Sequence, residues 1–465
     1  MRARILASSL VFAGCAATQP PAPTRVHVSA PRVASAHSEA GPPTTTSVRP
    51  LLLRGVTLID GTGAEPRKGM DVFVEQGRIA NVGEHLAATG DTEVLELEGY
   101  TLLPGFIDAH VHMTFTPPAN YAQGVVHEMK AHDSDLALGG VANAWATLEA
   151  GFTTVRNVGG TFADRALRDA IADGIVPGPR MLVANHAITI TGGHCDDTHG
   201  YRPELLPEMQ DYRAGVADSP DEVRKAVRYQ IKHGADVIKV CATAGVMSSG
   251  DTLGVAQLTT PELATAVDEA NRAGVRVAAH AHGTQGIREA VEAGVHSIEH
   301  GSILDDATVA LMKAKGTVLV PTLSAGEHVM RAADAGTLSR SSAAKARAIA
   351  PKMRASFAMA YAADVEIALG SDAGVFAHGK NGREFTLMVD AGMKPMDAIV
   401  AGTSGAARLL GLMDVGTIRE GNHADLVLIE GDPLDDISQL ERPDGVIKGG
   451  VFYVRPGSRD QRDAE

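Results

Sequence analysis

The chain has 465 residues, of which 44% are hydrophobic, enough for one large domain and a smaller one with substantial cores. A formal charge of -14 without a basic stripe, together with 4% aromatic residues, excludes nucleic acid as a partner, because neither a cationic surface nor stacking platforms are available. The 50 glycines suit a turn-rich α/β protein, and Cys15, Cys195 and Cys241 lack the paired spacing that would support a disulfide framework or a zinc knuckle.

At the N-terminus, Arg2 and Arg4 precede an apolar stretch at 5–13 that is too short to span a bilayer, and Gly14 and Cys15 follow. This order predicts an export signal over 1–15. The run Phe12-Ala13-Gly14-Cys15 resembles a bacterial lipobox, which implies cleavage before Cys15 and a lipid anchor on it as the one contact with the membrane. Phe12 departs from the usual aliphatic residue, so a plain signal peptide with a soluble periplasmic or secreted product is the alternative. Residues 16–48, rich in Pro, Ala, Ser and Thr and without apolar periodicity, predict a flexible tether.

Short strands and turns then alternate through 51–59, 71–75 and 78–82, and similar text returns at 424–429 and 445–453. This predicts one small β-sandwich domain formed from both ends of the chain, 49–98 and 414–456, followed by a polar, disordered tail at 457–465. Between them, 99–413 repeats the pattern helix, glycine, strand. Ser219-Pro220 opens a helix, Gly234 closes it and a strand at 237–240 follows; Thr260-Pro261, Gly274 and 275–280 repeat the unit. Strands at 102–112, 152–158, 181–190, 295–300, 317–322 and 365–372 bring the total to eight, which predicts an α/β fold of the (β/α)8 TIM-barrel type.

Reactive groups in such a barrel gather where strands end. His110 and His112 lie at the end of strand 1, Lys239 on strand 4, His280 on strand 5, His300 on strand 6 and Asp372 on strand 8. Two imidazoles at i and i+2 of a strand share a face, about 6 to 7 Å apart along the chain, which suits a single metal ion. Lys239, between Ile238 and Val240, points into the barrel, where burial exposes a neutral amine able to take up carbon dioxide as a carbamate, an anionic bridge between two cations. His280 and His282 repeat the same-face geometry, and spacing does not say which of them binds metal. Asp372 could touch a metal and accept a proton. Each residue has a plainer reading as a core histidine, a core-paired lysine or a turn aspartate; their shared placement at strand ends favours the site.

The runs at 103–112, 191–194, 238–243, 280–283, 298–301 and 370–374 together resemble the amidohydrolase superfamily, over about 51–453. Within it, they look most like the metal-dependent dipeptidases and carboxypeptidases, the branch that includes prolidase-type and ochratoxin-hydrolysing amidases. The resemblance implies two divalent metal ions, zinc foremost, with His110, His112 and Asp372 on one, His280 and His300 on the other, and carboxylated Lys239 between them. It implies hydrolysis of the amide bond of a small-molecule or dipeptide substrate (Xaa-Pro, Xaa-Arg, Xaa-hydrophobic or N-acyl amino acid) by an activated water with Asp372 as proton shuttle, in a homo-oligomer. His194 and His282 become candidates for holding the substrate or polarising its carbonyl, and His328 and His378 lie in later loops that could reach the mouth. Asn157, Cys195 and Ala244-Gly245 depart from the branch pattern, the last two in loops near the substrate pocket. Two other readings stand beside this one. An imidazolonepropionase-like cyclic amide or lactone hydrolase would use one metal and have no need of Lys239. A non-catalytic, ligand-binding surface lipoprotein would have no reason to keep all six residues.

Overall fold

The computed structural model describes residues 49–458 except 199–200, 203, 205–209 and 249–251. The export segment, lipobox and tether expected at 1–48, and the tail from 459 to 465, lie outside the described residues.

Five strands come first: β1 (Leu51–Leu58), β2 (Arg67–Glu75), β3 (Arg78–Gly83), β4 (Glu93–Glu96) and β5 (Tyr100–Pro104). The barrel staves follow as β6 (Phe106–Val111), β7 (Phe152–Asn157), β8 (Arg180–Val183), β9 (Val237–Cys241), β10 (Arg276–Ala281), β11 (Ser297–His300) and β12 (Val318–Val320). Three strands then return: β13 (Leu426–Glu430), β14 (Gly445–Lys448) and β15 (Val451–Val454).

The two chain ends hydrogen-bond into one eight-stranded sheet in the order β15-β14-β13-β5-β1-β2-β3, with β4 also on β1. Its far end curls back, since Ile79 N donates to Asn422 O (2.9 Å) and Ala424 N to Gly77 O (2.9 Å). The expected β-sandwich domain is therefore a single sheet folded round its own core. Period-two alternation sorts its faces: Leu102, Leu426 and Leu428 join Leu53, Val56 and Val72 inside this domain, whereas Leu103, Val427 and Ile429 pack into the barrel's cluster.

The run 102–112, read from sequence as one strand, is two. Gly105 N donates to Asp425 O (2.7 Å) and Phe106 N to Gly151 O (2.9 Å), so the chain leaves one sheet and enters the other at Gly105. A side chain does not fit there, because a Cβ on Gly105 would lie 2.2 Å from Thr153 Oγ1.

Staves β6-β7-β8 and β9-β10-β11-β12 form two parallel arrays. They join where Asp236 N donates to Val183 O and Ile188 N to Lys239 O, both at 2.8 Å. On the other side the chain at 366–373 fills the eighth place without a regular ladder. There Leu319 N donates to Glu366 O (2.9 Å), Ala109 N to Leu369 O (2.8 Å) and Asp372 N to His110 O (2.7 Å). The third stave is also shorter than expected, ending before Asn185, whose φ of +58° breaks the extended run. The helix signals hold at Ser219, whose Oγ accepts from Glu222 N, whereas the next helix is capped one residue earlier than expected, with Glu262 Oε2 accepting from Thr259 N (2.7 Å).

Gly105→Ala is expected to lower the free energy of unfolding by about 1 to 3 kcal/mol, the usual penalty for overpacking. Gly139→Ala, on a helix with open space around it, is expected to hold level or gain. Denaturant titrations followed by circular dichroism decide, and an unchanged Gly105→Ala midpoint would refute the tight crossing.

Candidate metal centre

Alternation along the staves aims the side chains. On β9, Ile238 and Val240 join the cluster under the helices, so Lys239 and Cys241 face inward. On β10, Val277, Ala279 and Ala281 face out, so His280 and His282 face in. On β11 alternation would permit only one of Glu299 and His300 inside. His300 has φ +72°, and this turn of the backbone brings both to the interior.

Two groups of donors result, each with its atoms within 4.8 Å of one another: His110, His112 and Asp372, and His280, His282 and His300. In the first, Asp372 Oδ1 lies 3.5 Å from His110 Nε2 and 3.2 Å from His112 Nε2. The rings of His110 and His300 are 5.0 Å apart between centroids, which links the groups. Lys239 is buried within charge range of both, and burial brings its ammonium down to about 8 against the pull of Glu299 and Asp372. His280 and His300 fall well below the usual imidazole value through burial, His282 falls to about 3 and His110 to about 4 for the same reason. They are neutral at pH 7 and keep lone pairs. Burial raises Asp372, but His110 and His112 hold it below the ordinary carboxylate value.

The donor set fits a metal. His110 Nδ1 and His112 Nδ1 donate to Glu299 Oε2 and Gly159 O, each at 2.7 Å, which leaves both Nε2 atoms aimed at a carboxylate oxygen. Three acceptors meeting in a buried space require a cation among them. A proton can serve, and Asp372 does hold His112 above its usual value against burial; a divalent ion would displace that proton. In addition, His280 Nε2 is buried with no hydrogen-bond partner among the described residues.

The residues behind these donors escaped the sequence reading. Glu299, with no exposure, accepts from His110, from Arg156 Nη2 (2.8 Å) and from Ser297 Oγ (2.5 Å), and Arg156 Nε also donates to Ala109 O (2.6 Å). Burial alone would raise Glu299, yet Arg156 and His110 bring it down to about 2. Asp108 accepts from His110 N, Ser371 N and Ser371 Oγ, so it joins stave one to the segment bearing Asp372. His300 Nδ1 is bonded to Thr322 Oγ1 (2.7 Å), and the helix after Thr322 starts with Leu323 N and Ser324 N on the Glu384 carboxylate (2.7 Å each). The available signal was a set of charged or polar residues inside apolar strand runs.

Of the other histidines, His194 lies 4.1 Å from His280 between ring centroids, and His282 Nδ1 is bonded to Ser302 Oγ (2.6 Å) beside His300. His378 does not face the mouth. Its Nε2 meets His112 O and Phe115 O (3.2 Å each) and its Nδ1 meets Thr147 Oγ1 (3.3 Å), so it braces the chain behind His112. His328, on the helix Leu323–Asp334, packs near Phe376, with 5.7 Å between ring centroids. The cysteines also correct the expectation from spacing: Cys195 and Cys241 are disulfide-bonded, with Cα atoms 6.2 Å apart and a sequence separation of 46. The fold brings them together, and linear spacing carries no trace of that.

An eight-staved barrel whose strand ends gather imidazoles, carboxylate and a buried lysine is the architecture of a metal-dependent hydrolase. The amidohydrolase family matches residues 101–452, and the chain belongs to it, as a hydrolase of amide bonds. It is 34% identical over 423 residues to ochratoxinase from Aspergillus niger, covering 86% of each chain. A solved Xaa-Pro dipeptidase with bound methionine superposes with a TM-score of 0.83 at 37% identity, over 87% of this chain and 100% of that one. A prolidase complexed with N-methylphosphonate-L-proline gives 0.80 at 30% identity, over 87% and 100%.

Glu299→Gln removes the charge that fixes the His110 tautomer and leaves Arg156 buried without its counter-ion. Metal affinity is expected to fall about 10- to 100-fold, the usual effect of losing a hydrogen-bond partner of a ligand. Competition with a chromogenic chelator measures it, with circular dichroism as the check on folding, and wild-type affinity would refute the orienting role of Glu299.

Proposed function

We propose that this protein is a binuclear metal-dependent amidohydrolase that cleaves dipeptides or N-acyl amino acids carrying a free carboxylate. The observation that carries this reading is the pair of donor groups, one containing His110, His112 and Asp372 and the other His280 and His300, with Lys239 buried in charge range of both. The likeness to ochratoxinase and to the Xaa-Pro dipeptidase supports the substrate class.

Two divalent ions, zinc being well suited to imidazole and carboxylate donors, would when bound polarise the scissile carbonyl and lower the pKa of a water. His110, His112 and Asp372 would hold one ion, and His280 and His300 the other. Lys239 would serve both as its carbamate, which its lowered pKa favours because the neutral amine is the form that reacts with carbon dioxide. Asp372 takes the proton of the attacking water and returns it to the departing amine. His282, the third histidine of the second donor group, and His194, against the His280 ring, hold the substrate carbonyl and its flanking groups. Acid and amine then leave. A one-metal hydrolase would leave Lys239 buried without a task.

The purified full-length protein is expected to contain about two divalent ions per chain by elemental analysis, and Lys239→Ala to lose both bound metal and turnover. Full activity of Lys239→Ala with one ion per chain would instead favour the one-metal reading. Asp372→Asn is expected to slow amino-acid release from Xaa-Pro, Xaa-Arg, Xaa-hydrophobic and N-acyl substrates by at least about 100-fold with the fold retained. An active Asp372→Asn enzyme would refute the proton role.

A further inference from the structure

The disulfide between Cys195 and Cys241 stands at the mouth of the barrel, and none of the chemistry above uses it. Cys241 ends β9, two residues after Lys239, with its N–H donating to Ile188 O (2.8 Å). Cys195 directly follows His194 in the turn after the third stave, where Gly193 N donates to Ile190 O (2.8 Å) and Asp196 N to Gly193 O (3.1 Å). The Cα separation of 6.2 Å is within the range of natural disulfides.

What the bond fixes is the backbone next to His194. The His194 ring rests on His280 at 4.1 Å between centroids and 31° between planes. It occupies the space over Gly245, where a Cβ would come within 2.2 Å of its Cε1. His194 N also donates to Gln257 Oε1 (2.9 Å), and Gln257 N to Ala242 O (2.9 Å), immediately after Cys241. A covalent tie and a hydrogen-bonded tie therefore run from the His194 turn to the same end of β9. Gly245 thus lies under the ring of the residue that directly precedes Cys195.

We propose that the Cys195–Cys241 disulfide is a positioning element of the substrate subsite: it holds His194 against the metal-site wall, and its reduction loosens substrate binding while leaving the metal centre intact. The proposal rests on the reading of His194 as a substrate contact. Reduction by a phosphine breaks the S–S bond and forms two thiols; the disulfide gains two electrons and two protons, and the phosphine takes oxygen from water to become its oxide. A phosphine is the reagent of choice, because a dithiol would also chelate metal.

Peptide mapping of the full-length protein, denatured without reductant in the presence of iodoacetamide, is expected to leave Cys195 and Cys241 unlabelled, and both to be alkylated after phosphine treatment. Free thiols at these positions in the active enzyme would overturn the proposal. Kinetics on the fastest substrate of the panel then compare untreated protein, phosphine-reduced protein and the Cys195→Ala/Cys241→Ala variant. KM is expected to rise about tenfold in the last two, with kcat within about twofold and metal content unchanged, the pattern of lost ground-state binding. If the variant does not fold, the reduced wild-type protein supplies the same comparison. In a His194→Ala background, removing the cysteines is expected to leave KM where His194→Ala alone puts it. A further rise of equal size there, an unchanged KM on reduction, or lost metal overturns the proposal. A His194→Ala enzyme with wild-type KM sinks the subsite reading itself, and is told apart from failure of the disulfide proposal, in which His194→Ala raises KM and reduction does not.

Discussion

Glu299 has no exposure to water, and the interior of the barrel is organised around its charge. Arg156, also buried, would be untenable without it, and Lys239 and His110 sit in the field of the same carboxylate. An ion pair this deep adds little net stability, because desolvation offsets most of the attraction; its value lies in what goes wrong if one member moves. Here the members reach four staves: Arg156 from β7, Ser297 and Glu299 from β11, His110 and the Ala109 carbonyl from β6, with Lys239 on β9 in charge range. The network thus sets the position of the first imidazole relative to the staves that carry the second donor group.

Geometry explains how Glu299 and His300, adjacent in sequence, can both face inward. A regular strand would send one of them to the helix layer. His300 at φ +72°, Thr322 at +51° and Asp372 at +63° all adopt the left-handed backbone that non-glycine residues avoid, and all three lie where a stave gives way to its loop. Each such residue carries about 1 to 3 kcal/mol of strain, and such strain is characteristically stored at functional sites. The surroundings enforce it: Asp372 N is bonded to His110 O, the His300 ring to Thr322, and the helix start after Thr322 to Glu384.

These features also mark the boundary of what the sequence discloses. The staves, the capped helices and the six strand-end residues were legible because each rests on local rules: alternation along a strand, Ser-Pro openings, glycine closings. Glu299 was hidden by the same alternation that revealed His110 and His112, since it predicts an outward side chain beside an inward His300. The split of 102–112 depends on Asp425, and the partner of Cys241 lies 46 residues away; both are contacts made across the fold, on which local periodicity is silent. The eighth stave kept its place and lost its ladder, because the bonds that hold it go to β6 and β12 at irregular intervals.

Division of labour between staves and loops follows from this. The candidate metal donors and their partners sit on or directly after strands whose both edges are hydrogen-bonded, so their spacing is set by the barrel. His194 sits on a turn, and what touches it is the Gln257 side-chain oxygen that its N–H donates to, the space at Gly245 and the link between Cys195 and Cys241. Loops of this kind tolerate change because little else depends on them, which is why a fold shared with dipeptidases and ochratoxinase fixes the chemistry more closely than the substrate. The specificity of this enzyme therefore has to be sought in the ties of its loops and not in the donors fixed by the staves.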